Sequence, residues 1–96
     1  MHIRVTPAQV KPDKRDEANA IMRDLFAAYR ASGGFQGGYA ASDESGEGMA
    51  VTLWDSEEAA LAATERARAI LARLGPLMED GHPPRPPRAY PVTVQA

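Results

Sequence analysis

One segment limits the fold of this chain more than any other: Gly48-Met-Ala-Val-Thr-Leu-Trp-Asp-Ser-Glu-Glu-Ala-Ala60. An apolar run, Met49 to Trp54, stops at a polar cap, and a helical pattern starts at once. Such a run bounded by capping residues marks a strand that feeds a helix with almost no loop. Asp55 or Ser56 is the cap, and Asp55-x-x-Glu58 has capping-box spacing with aspartate in the usual Ser/Thr place. Trp54, the only tryptophan, stands at the seam.

The flanks supply the other elements. His2 to Val10 alternates loosely, with Ile3 and Val5 on one face and Arg4 and Thr6 on the other. That predicts a strand, and Pro7 predicts an edge or a bulge in its second half. Lys11-Pro-Asp-Lys14 is a turn that opens a helix, with Asp13, Asp16 and Glu17 suited to the positive end of the helix dipole. Ala18, Ile21, Met22, Leu25, Phe26 and Tyr29 recur at three and four, which builds one apolar face. Ser32-Gly33-Gly34 ends this helix. Phe35 to Ala41 reads as a second, glycine-laced strand, and Asp43 to Gly48 as a hairpin loop. The second helix runs to about Leu74, where Gly75-Pro76 stops it. Its inner face combines Ala60, Leu61, Ala63, Thr64, Ala67, Ile70, Leu71 and Leu74. Leu77-Met78 is a short turn. Gly81 to Arg88 is a stiff, extended connector, because its prolines lack the backbone donor and exclude the α conformation before them. Ala89 to Gln95 is a last strand, placed at an edge by Pro91.

The order is β-α-β-β-α-β in a single domain, residues 1–96. Two strand–helix crossovers around a central hairpin define an α+β, ferredoxin-like sandwich: an antiparallel four-stranded sheet with two helices on one face. The other face is left bare and needs a partner. Six aromatic residues are few for one core, and small domains often gain core by dimerising. Both points predict a homodimer.

Charge and composition exclude several classes. The net charge is −2 with no basic stripe, which argues against nucleic acid as a partner. Without cysteine there is no disulfide, thiolate metal site or cysteine nucleophile. No apolar run approaches a membrane span, and the chain begins in a strand pattern instead of a signal peptide. The expectation is a cytoplasmic protein that does not touch membranes. Of eleven basic residues only Lys11 and Lys14 are lysine, and alanine is abundant, a composition that a GC-rich bacterial genome explains.

Three segments resemble the antibiotic-biosynthesis-monooxygenase-like superfamily of dimeric α+β barrels: Val10-Lys-Pro-Asp-Lys14, Gly33-Gly-Phe-Gln-Gly-Gly-Tyr39 and Val51-Thr-Leu-Trp-Asp-Ser-Glu-Glu-Ala59. The resemblance implies that two protomers join their bare sheet faces and that each holds a pocket between sheet and helices. It also implies activities such as cofactor-free oxygenation of polycyclic phenols or haem degradation. The haem-degrading branch needs an asparagine, a tryptophan and a histidine ligand where this chain aligns Val5, Ala63 and Arg73. Haem iron takes an axial nitrogen, thiolate or phenolate, and arginine stays protonated, so haem degradation is not expected. The asparagine–tryptophan pair of the polyketide monooxygenases is not evident either. Asn19, the only asparagine, lies outside the main apolar set of its helix, and Trp54 aligns with the structural tryptophan of the junction.

No catalytic residue follows from the sequence. The pocket-lining candidates are Val5, Tyr39, Trp54, Ala63, Ala67 and Tyr90, and His2 is the candidate proton acceptor. Trp54 could stack on a flat substrate, but anchoring the junction is the favoured role. Tyr39, Tyr90 and Arg4 point at the pocket or at the dimer interface, with interface packing favoured for tyrosine. His2 and His82 lack the spacing of a metal site. Asp43, Glu44 and Glu47 do not follow calcium-loop spacing, so neither metal nor cofactor is expected. Two functions remain: a cofactor-independent monooxygenase acting on a flat, oxidisable small aromatic molecule, or a non-catalytic small-molecule-binding or interaction module on the same dimeric scaffold.

Overall fold

A computed structural model describes residues 1–79 and 86–96. Strand β1 spans His2–Gln9. A 3-10 turn, Pro12–Lys14, leads into helix α1, Arg15–Ser32. Strands β2 (Phe35–Ser42) and β3 (Glu47–Trp54) form the hairpin. Helices α2 (Glu57–Arg66) and α3 (Arg68–Ala72) follow, then a second 3-10 turn, Gly75–Leu77, and strand β4, Arg88–Pro91. The strands form one antiparallel sheet in the order β2-β3-β1-β4. This is the expected ferredoxin-like arrangement.

The prolines sit where their missing N–H does no harm. Strand β1 pairs with β3 over its whole length, but with β4 only over His2 to Val5. From Thr6 to Ala8 that side of β1 is unpaired among the described residues, before Gln9 accepts from the Glu79 N–H at 2.8 Å, and Pro7 lies in the gap without a ladder bond to lose. Pro91 lies on β4, an outer strand. At the opposite edge, β2 carries a register shift between Phe35 and Gly37.

Three details correct the reading from sequence, and one decides between the two caps it left open. The second helix is broken at Ala67 (φ −92°, ψ 8°), so α2 and α3 are separate. Leu61, expected inside, is 57% exposed, while Ala60, Ala63 and Ala67 are buried. Ser56 is the cap of α2: its hydroxyl accepts from the Ala59 N–H at 3.1 Å, and Asp55 instead accepts from the Gln36 side chain. The last strand starts at Arg88 and ends at Pro91, before Val92. The connector expected over Gly81 to Arg88 lies for residues 81–85, His82 included, outside the described residues.

The interior falls into two clusters. In one, Trp54 packs with Leu25, Tyr29, Ala60, Ala63 and Ala67. Its rings meet in a tilted set, with Tyr29 and Phe35 at 4.9 and 5.1 Å from the Trp54 centroid. The other cluster is Val10, Ala18, Ile21 and Leu77. Both lie on the helix-covered face. Cross-strand pairs put Ile3, Val5, Met49, Val51, Leu53, Tyr39 and Tyr90 on the opposite face. Tyr39 is 74% exposed there, Met49 48% and Tyr90 46%.

Candidate functional site

A cavity of about 260 Å3 lies between α1 and the sheet, in the gap between the two core clusters. Its floor is the helix-facing side of the strands: Arg4, Thr6 and Ala8 on β1, Ala40 and Ser42 on β2, Gly48, Ala50 and Thr52 on β3. Apart from Arg4 these residues are small, which leaves the space. Its roof is a stripe of α1, Arg15, Asn19, Met22 and Phe26, closed by Leu71 and Leu74. The spacing of that stripe, four, three and four, is one face of a helix. Walls this apolar with a few convergent polar groups have the character of a small-molecule site.

The polar groups gather at two ends. At one, the Arg4 guanidinium donates to the Thr64 hydroxyl, which donates on to the Ala60 carbonyl at 2.7 Å. Tyr29 lies beside them. Burial raises its phenol above the usual 10.0, although the Thr64 hydroxyl and the Arg4 charge pull downward. At the other end Arg15 donates to the Ser42 hydroxyl at 3.3 Å and to the Ser42 carbonyl at 3.1 Å. Among the described residues no carboxylate and no imidazole lines the cavity. A second cleft of about 230 Å3 adjoins it, lined by His2, Arg4, Glu57, Ala60, Leu61, Pro87 and Ala89. Arg4 and Pro87 line both spaces. His2 Nδ1 is buried with no hydrogen-bond partner among the described residues.

No family model matches the sequence, and no curated protein matches it. Solved structures do. Rv0793 from Mycobacterium tuberculosis superposes with a TM-score of 0.79 at 17% identity, over 99% of this chain and 97% of that one. SnoaB, a cofactor-independent oxygenase from Streptomyces nogalater, superposes at 0.79 with 12% identity, over 98% and 94%. A Chloroflexus aurantiacus protein bearing the family name antibiotic biosynthesis monooxygenase gives 0.76 at 18%, over 99% and 96%. The chain has the antibiotic biosynthesis monooxygenase fold.

On this antibiotic biosynthesis monooxygenase fold the residues singled out from sequence go to three places. Trp54, Ala63 and Ala67 are core, packed on one another. Val5, Tyr39 and Tyr90 are on the open sheet face. None of these six lines the larger cavity. For the second three the reason is parity: successive strand residues point to opposite faces, and the apolar side of β1 faces away from the helices. For the first three it is close packing, since the alanines seat α2 directly on Trp54 and fill the space they were expected to leave. His2 lies in the adjoining cleft. The cavity's own polar residues, Arg15, Asn19, Thr6, Thr52 and Thr64, were missed as site residues. The signal was present for two of them: Arg15 and Asn19 continue the Met22–Phe26 stripe toward the N-terminus of α1. Among the described residues no three metal-ligating side chains converge, and no helix is long and apolar enough to cross a membrane.

Proposed function

We propose that this chain is a cofactor-independent monooxygenase that acts on a small, flat, oxidisable molecule held between α1 and the sheet. The observation that carries the reading is the cavity: apolar walls, ringed by Asn19, Thr6, Thr52, Thr64 and the two arginines, on a fold shared with a cofactor-independent oxygenase. Its volume is just under the ~300–1,000 Å3 of pockets for drug-sized ligands, so the ligand has one or two rings.

In this reaction an activated methylene of the substrate loses a proton, and the resulting carbanion reduces dioxygen. One oxygen atom enters the product as a carbonyl, and the other leaves as water with the two methylene hydrogens. The protein contributes a dry pocket, orientation and donors for the developing negative charge. The proton acceptor in this reading is His2, across Arg4 from the cavity. Purified protein should consume oxygen with a panel of one- and two-ring compounds bearing an acidic methylene, such as 2-indanone and 2-tetralone, and His2→Ala should slow that uptake by roughly a hundredfold, the usual scale of a general base. Absence of uptake with every compound would sink the catalytic reading.

A second reading rests on the lining itself, which among the described residues holds no carboxylate or imidazole. On that reading the chain binds its ligand without transforming it, and tight binding without oxygen uptake is the result expected.

The active form is a homodimer joined through the open face. Half-buried Ile3, Val5, Val51 and Leu53 form its centre, with Tyr39, Tyr90 and Met49 around them. Uncovered, this apolar surface resembles an interaction site.

A further inference from the structure

Among the described residues the cavity between α1 and the sheet is lined by two guanidinium groups, Arg4 and Arg15, and by no carboxylate. The ion pairs found among the described residues all lie elsewhere: Lys14–Glu17, Glu65–Arg68 and Asp24–Arg73. The Ser45 hydrogen bond, and less strongly the charge of nearby Arg15, hold the Asp43 carboxyl below its usual range. Arg4 has no ion-pair partner among the described residues, and a guanidinium partly withdrawn from water without a close counter-charge is costly. An anion seated in the cavity would offset that cost.

The two arginines are not equivalent. Arg15 commits both Nε and Nη2 to Ser42. Arg4 makes one side-chain bond, from Nη1 to Thr64. Arginine has five N–H donors in a planar fork, so Nε and Nη2 of Arg4, which bond to none of the described residues, can grip a carboxylate with two parallel bonds. Around Arg4 the cavity adds the Thr6 hydroxyl on the same face of β1 and the Tyr29 phenol, which burial keeps protonated at neutral pH. The opposite end holds Arg15, whose charge the Asp43 carboxylate shares, so the uncompensated positive charge of the lining is that of Arg4.

We propose that the ligand of this cavity is a flat ring compound bearing a carboxylate, with the carboxylate on Arg4 and the ring between Met22 and Phe26 above and Ala40 and Ala50 below. This rests on the reading of the cavity as a small-molecule site and names the class of molecule it takes. Arg4 fixes the orientation, and the uncharged end of the ring points toward Asn19 and Arg15.

The test is titration calorimetry with 2-naphthoate and its neutral isostere 2-naphthamide. Wild-type protein should bind naphthoate at least about tenfold more tightly, the scale of a charge-assisted pair. In Arg4→Met that preference should fall to within about threefold, while naphthamide binding stays within about twofold. Arg68→Met, an exposed arginine, should keep the preference. Equal binding of the two compounds by wild-type protein would overturn the carboxylate assignment and leave the small-molecule reading intact. Failure of both to bind would overturn both. Should Arg4→Met not fold, the wild-type comparison and Arg4→Lys, which keeps the charge but loses the fork, decide the matter: Arg4→Lys should retain only part of the preference, and full retention would overturn the two-bond grip.

Discussion

The Trp54 indole N–H donates to the Thr52 hydroxyl at 2.9 Å, two residues back on the same face of β3. Both side chains are buried, Trp54 completely. A buried polar group needs a partner, and here the strand supplies it to its own terminal ring, so the seam between β3 and α2 depends on no distant donor or acceptor. Trp54→Ala should cost about 3–5 kcal/mol, the range for emptying an aromatic core site. Thr52→Val, nearly equal in volume, leaves the indole unpaired and should cost about 1–3 kcal/mol. Urea denaturation measures both, and a Thr52→Val protein as stable as wild type would show that the bond contributes nothing.

Two glycines with similar φ should respond very differently to alanine. Gly46 has φ +88°, and a Cβ there would lie 1.9 Å from the Val10 carbonyl oxygen. Gly33 has φ +83° but open space around it. Gly33→Ala therefore carries only the backbone strain, about 1–3 kcal/mol. Gly46→Ala adds a backbone collision and disrupts the Val10 N–H to Gly46 carbonyl bond of 2.9 Å. It should be the more damaging by a wide margin, seen as a much lower melting temperature or loss of folded protein. Equal melting temperatures for the two variants would contradict this.

The open sheet face makes a prediction about assembly. Val5 and Val51 are paired across β1 and β3 at the centre of that face. Val51→Lys puts a charge in the middle of the proposed interface, where an unpaired buried charge is costly. Sedimentation at micromolar concentration should show a dimer for wild type and a monomer for the variant. A wild-type protein that sediments as a stable single subunit would rule the interface out.

Tyr29 sets a pH limit. Burial raises its phenol above 10.0, the unfolded value. The folded state therefore favours the protonated form, and the contribution is fully present below about pH 10 and lost as pH rises through the folded pKa. Absorbance titration should show one tyrosine ionising above the usual range, absent in Tyr29→Phe. The wild-type protein should lose stability more steeply than Tyr29→Phe above pH 10.

Much of the architecture could be read from residues with a strong local mechanism: the glycines that end α1, the hairpin loop, the prolines at edges, the strand running into Ser56. What could not be read has two physical causes. Ala67 interrupts the second helix, yet alanine is the best helix former, and the clear stop signal comes later at Gly75-Pro76. The site was missed because apolar residues were taken as inward. On β1 the sense is reversed: Ile3 and Val5 face the open side, and the mixed residues Arg4, Thr6 and Ala8 face the helices. A sheet whose open face is more apolar than its covered one misleads a pattern that counts apolar residues alone, and only the covering helix decides which side is which.

The division of the interior has an effect on heat tolerance. The Trp54 cluster and the Val10 cluster flank a void instead of meeting across one filled centre, so a resident guest becomes the missing mid-section. Whatever fits there should weld the two halves together and lift the unfolding temperature with dose, by mass action. Substrates for this chain can thus be sought by thermal screening before any assay of chemistry exists.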